Sequence, residues 1–90
     1  MSARITINLT AESEFQIWLN EEGRNLLVRE LQRLSDRNDH FHFGPDDVGE
    51  VEVSSIAYEP GHKVLEHGKV LFRTDSWDRE YYPHVLRDPA

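Results

Sequence analysis

Residues 39–43, "DHFHF", alternate polar and apolar side chains with a period of two, and "GPDD" at 44–47 closes the run. Alternation of this kind is the signature of a half-buried β-strand, so Phe41 and Phe43 are expected to face a core while His40 and His42 face the other way. Two histidines on one strand face stand about 7 Å apart along the chain.

Upstream of this strand, "NEEGRNLLVRELQRLSDR" (20–37) changes period. Asn20 suits an N-cap, because its side chain accepts an orphan amide proton, and Glu21 and Glu22 complement the helix dipole. The spacing predicts a helix over about 21–37, with Leu27, Leu31 and Leu34 in one stripe and Arg29, Arg33 and Arg37 opposite. Gly23, near that stripe, is explained by close approach of a strand. Before the helix, "RITINL" (4–9) puts Ile5, Ile7 and Leu9 on one face. "EFQIWL" (14–19) does the same for Phe15, Ile17 and Leu19, and the polar "TAES" between them suits a hairpin loop.

Downstream, Val51 and Val53 share a face until the pattern slips by one residue. Placing Ile56 and Tyr58 inside then requires a bulge or bend at Ser54 and Ser55. "EPGH" (59–62) is a turn, and the strand after it, 63–73, points Val64, Val70 and Phe72 inward. The expected order is β-β-α-β-β-β: an α+β fold, one domain over 1–90, in which a mostly antiparallel sheet carries one helix on one face. Residues 73–90 form an aromatic tail with Trp77, Tyr81, Tyr82 and Pro83. Docking of these rings on the core is the expectation, and binding of a partner by the tail is the alternative.

Ninety residues allow a single modest core. The formal charge of −7 repels phosphate backbones and favours a basic protein partner over nucleic acid. The chain contains no cysteine, which removes disulfides, thiolate metal sites and a cysteine nucleophile. There is neither a signal-peptide pattern nor an 18-residue apolar run, so a cytoplasmic protein that does not span a membrane is expected. "NLT" at Asn8 matches a glycosylation acceptor that has no use without secretion.

The histidine pair could hold a metal if a third ligand joined it. His62, His67, His84, Asp39, Asp46 and Asp47 are available, but no spacing selects among them. Histidines alternating with core phenylalanines need no function, and no cofactor is expected. No phosphate loop, nucleophile elbow or metalloprotease motif occurs, so no catalytic residue is assigned.

The charge distribution says more than its total. Residues 36–52 hold Asp36, Asp39, Asp46, Asp47, Glu50 and Glu52 against Arg37 alone, a formal −5. A solvated loop is the commonest fate of such a run, and a docking surface for a basic partner is the sharper reading. If Phe15, Phe41, Val53 and Phe72 face the helix, then Trp18, His40, His42, Leu65, His67 and Leu71 share the opposite sheet face, rimmed by Glu14, Glu50, Glu52 and Lys69. Trp18, Asp39, His40, His42, Asp46, Asp47, Glu50 and Glu52 are therefore the candidate partner-binding residues.

The stretch "LNEEGRNLLVRELQRLSDRNDHFHF" (19–43) resembles the immunity protein 32 family of polymorphic-toxin systems. "GEVEVSS" (49–55) and "HKVLEHGKVLF" (62–72) are similar to later stretches of that family, so the likeness spans about 15–73. The resemblance implies a cytoplasmic α+β antitoxin that binds a cognate toxin and has no catalysis of its own. Two other readings stand beside it. One is a domain that is a monomer or weak homodimer, self-associating through a sheet face or edge. The other is a metal-binding protein or small metalloenzyme centred on His40 and His42.

Overall fold

Alternation at the start of the chain yields a hairpin in the computed structural model, which describes residues 2–86. Strand β1 (Ile5–Leu9) pairs antiparallel with β2 (Phe15–Leu19), with Ile7 opposite Ile17. Ser13, at φ 67°, sits in the left-handed region within the connecting turn.

Helix α1 (Glu21–Gln32) follows at once. The Asn20 side chain ties its start together: Oδ1 accepts from Gly23 N at 2.7 Å and from Arg4 N at 2.8 Å, while Nδ2 donates to Ser2 O at 3.0 Å. Gly23 is buried where the helix crosses β1. A Cβ there would collide with the Arg4 carbonyl oxygen and come within 2.9 Å of Ile5 Cγ1, which is the close approach expected of this glycine. The helix ends five residues before Arg37. Asn38 Nδ2 captures the Arg33 carbonyl at 3.0 Å, and Ser35 and Asn38 exchange backbone hydrogen bonds of 3.0 and 3.2 Å, a local alternative to further helical turns.

The remaining strands are β3 (His40–Gly44), β4 (Val51–Glu52), β5 (Lys63–Val64) and β6 (Gly68–Leu71). They do not join the hairpin in a single sheet. Two three-stranded sheets form, ordered β2-β1-β5 and β4-β3-β6, and every pairing is antiparallel except β3 with β4. The cause lies where the alternation slips. Val53 N donates to Gly44 O of β3 at 3.0 Å, and the next residue, Ser54, donates to Ile5 O of β1 at 2.7 Å. The bend expected at Ser54 and Ser55 is thus the point where the chain leaves one sheet for the other. Beyond it Ile56 and Tyr58 are 75 and 44 % exposed, where the alternation predicts both inside.

One core serves both sheets. Ile5, Phe41, Val51 and Val53 are buried together, with Ile7, Leu26, Leu27, Leu34, Phe43 and Val70 packed around them. Phe41 and Phe43 therefore point inward as the alternation required, whereas Phe15 (67 % exposed), Leu31 and Phe72 do not join them. Because Gly23 seats α1 over β1, the corresponding face of β2 is left uncovered.

The aromatic tail contains a second helix, α2 (Asp75–Tyr81), capped by Thr74, whose Oγ1 accepts from Trp77 N at 3.1 Å. Trp77 packs on Tyr81 and Tyr82, with ring centroids 4.8 and 5.4 Å away, and the Arg73 guanidinium lies 4.6 Å above its ring. A 3-10 turn, Pro83–Val85, follows; residues 87–90 of the expected tail lie outside the described residues. No residue of α2 is buried. The rings thus pack mainly on one another and on Arg73. No helix among the described residues is long and apolar enough to cross a membrane.

A candidate partner-binding face

Strand parity puts His40 and His42 on the outer face of the second sheet, and cross-strand pairing sets Leu71 beside His40 and Lys69 beside His42. Gly44 pairs with Glu52, so Glu52 continues the same face. The imidazole centroids are 5.0 Å apart and the rings meet edge to face.

Each histidine has its own carboxylate. His40 Nδ1 lies 2.8 Å from Asp39 Oδ1, and His42 Nδ1 lies 3.4 Å from Glu50 Oε1. Glu50 also accepts the His42 backbone N–H at 2.6 Å. This last bond holds the Glu50 carboxyl below the ordinary carboxylate range against the opposing effect of desolvation, and Glu50's own backbone N–H and the nearby His42 ring add to it. The hydrogen bond from His40 lowers Asp39 in the same way, and the Arg73 charge adds to it. Arg73 Nη1 is 2.9 Å from Asp39 Oδ2 and 2.8 Å from its neighbour's carbonyl, Phe72 O. A continuous polar track therefore runs Glu50–His42–His40–Asp39–Arg73 and ends on the Trp77 ring.

The loop that delivers Glu50 needs its glycines. A Cβ on Gly49 would lie 2.7 Å from His42 O and 2.9 Å from Gly44 N, and one on Gly44 would lie 3.0 Å from Gly49 N. The two glycines let residues 45–50 press flat against β3. Asp46 turns the loop at φ 51°, a conformation that aspartate tolerates better than most residues.

Of the expected site residues, Asp39, His40, His42 and Glu50 come together, with Glu52 further along the same face. Asp46 and Glu52 border a shallow cleft with Glu66, Ser54 and Arg4, and Asp47 is exposed in the loop. Trp18 is elsewhere. It lies in the first sheet, with its indole N–H bonded to buried Asn8 Oδ1 at 2.8 Å and its ring stacked on Tyr58 at 4.1 Å and 10°. The shared face expected for Trp18 and the histidines does not form, because they belong to different sheets. Asn8 itself is fully buried, which keeps its amide from any modifying enzyme in the folded state.

Arg73 and Trp77 complete the track and were not among the expected site residues. No local signal marks them: it is the antiparallel register of β3 with β6, a tertiary fact, that sets Phe72 opposite Asp39 and brings Arg73 beside it. Among the described residues no group of three histidine, aspartate or glutamate side chains is arranged to hold a metal ion. No family model, curated protein or solved structure matches the chain.

Proposed function

We propose that this chain is a small, acidic, non-catalytic binding protein that engages a basic protein partner in the cytoplasm, as a bacterial immunity protein engages its toxin. The observation that carries the reading is the outer face of β3, where Asp39 and Glu50 are held ionised beside His40 and His42. It lies within the 36–52 segment that contains most of the net negative charge. A fixed array of carboxylates on an open sheet face recognises basic side chains and steers their approach. Asp46, Asp47 and Glu52 extend the field, and the resemblance to the immunity protein 32 family supplies the biological class.

The test starts from capture of a basic partner in the source organism and proceeds to association rates. Association should slow as ionic strength rises, because rim charges act over a Debye length of about 8 Å near physiological salt. Asp46→Asn combined with Asp47→Asn should slow association at low salt and leave stability unchanged, since exposed loop carboxylates contribute little to folding. An unchanged on-rate would make 44–50 a solvated loop and remove the acidic segment from the contact.

A further inference from the structure

The strongest unexplained surface is the outer edge of β2. The sheet order β2-β1-β5 leaves one side of β2 without a neighbour among the described residues. Two bonds bracket the hairpin ladder: Thr10 N to Glu14 O at 2.8 Å and Asn20 N to Arg4 O at 3.1 Å. In an antiparallel pair, bonded and non-bonded positions alternate, so Glu14, Gln16, Trp18 and Asn20 direct their backbone groups at β1. Phe15, Ile17 and Leu19 direct theirs outward. The far side of β1 agrees, since Ile5 O and Ile7 O accept from Ser54 N and Leu65 N, both at 2.7 Å.

The same three residues are also apolar and exposed, at 67, 43 and 40 %. Natural sheets protect such edges with charges, prolines or bulges, and "FQIWL" has none of these. Protection exists only at the ends, where Glu12 and Glu14 precede the strand and Glu21 and Glu22 follow it, all four exposed.

That charge pattern selects the occupant. A second copy pairing antiparallel about Ile17 would bring the glutamates at the ends of one β2 near those of the other, on two chains each carrying −7. An extended segment with lysine or arginine toward its ends meets complementary charge instead. We infer that the free edge of β2 accepts an extended, basic strand of a partner protein, through the outward backbone groups of Phe15, Ile17 and Leu19. That the occupant belongs to a partner protein rests on the function proposed above, while the edge geometry and the sign of the charge it selects do not.

The test uses the full chain, isotopically labelled, with a ten-residue peptide of alternating valine and lysine as the probe and its valine–glutamate counterpart as the control. The valine–lysine peptide should slow amide exchange of Phe15, Ile17 and Leu19 and leave Gln16 and Trp18, already bonded to β1, unchanged. Ile17→Pro deletes an outward N–H at an edge position that tolerates proline, and should weaken peptide binding by about tenfold or more. Should the proline variant fail to fold, Ile17→Lys keeps the backbone and sets like charges together, with the same expected loss. Three outcomes overturn the inference. They are no protection of the odd-numbered amides, equal protection by the glutamate peptide, or protection that rises with protein concentration alone, which would assign the edge to a second copy. Loss of the edge effect alongside an intact Asp46 and Asp47 on-rate effect would place the partner on the second sheet only. The converse result would leave the edge assigned and the acidic segment unused.

Discussion

Phe41 and His42 are adjacent in sequence and opposite in fate, since Phe41 is 2 % exposed while His42 stands in solvent. Phe41→Ala should cost about 3 to 5 kcal/mol, the range for truncating a buried phenylalanine, whereas His42→Ala should fall within about 0.5 kcal/mol of the parent. Denaturant midpoints of the two variants check this, and equal losses would refute the register of β3. Asp39 and Glu50 make a second prediction. Both ionise more readily in the folded chain, so the stability they contribute is present above their unfolded pKa and lost as pH falls through the lowered folded value. Carboxyl titration by NMR should find both midpoints below the ordinary range, and His40→Ala should raise that of Asp39 while leaving Glu50 in place. The inward and outward parity of residues 40–43 was legible in the sequence, because a two-residue period needs no tertiary knowledge. The ion pair of Asp39 with Arg73 was not, since it depends on which strands lie side by side.

At the level of elements, the junction of hairpin and helix rests on Asn20, whose side chain makes three hydrogen bonds, one to α1 and two to the segment that leads into β1. Asn20→Ala should destabilise by about 1 to 2 kcal/mol, toward the upper end for a capping residue, and thermal unfolding measures it. Asn20→Asp should recover much of this, because it keeps the acceptor for Gly23 and Arg4. Gly49 faces a different constraint. Its neighbours on β3 are backbone atoms that cannot swing aside, so Gly49→Ala should disturb the His42–Glu50 contact as well as stability, visible as a rise in the Glu50 titration midpoint. The hairpin, the N-terminal end of α1 and its close approach to a strand were all legible, each from a local chemical signal. The early end of α1 was not. Periodicity ran on through Leu34, while Ser35 and Asn38 offered the backbone competing hydrogen bonds. The single sheet failed for a related reason: a slip in alternation reports that the strand bends, not where it goes next.

Taken whole, the molecule is extended, with a Cα radius of gyration of 15.5 Å against about 12 Å for a compact chain of this length. Its dimensions of 45 × 30 × 21 Å accommodate one shared core and an α2 that buries none of its residues. Cooperativity should divide accordingly. With Trp18→Phe leaving Trp77 as the sole indole, its fluorescence should change at lower denaturant than far-UV circular dichroism, because a seven-residue helix without core contacts opens before the sheets. Coincident transitions would show that α2 is held more firmly than its burial implies.

The relay at Val53 and Ser54 also sets an order in time. The hairpin and α1 form from contacts between near neighbours in the chain, but the second side of β1 closes only through Ser54, Lys63, Val64 and Leu65, some fifty residues later. Local structure forms quickly and distant strand pairing slowly, because loop closure must precede the reward. As the chain leaves the ribosome, β1 is therefore exposed along its second edge until residues 54–65 have emerged. For that interval β1, like the outer edge of β2, is open to pairing with the wrong strand.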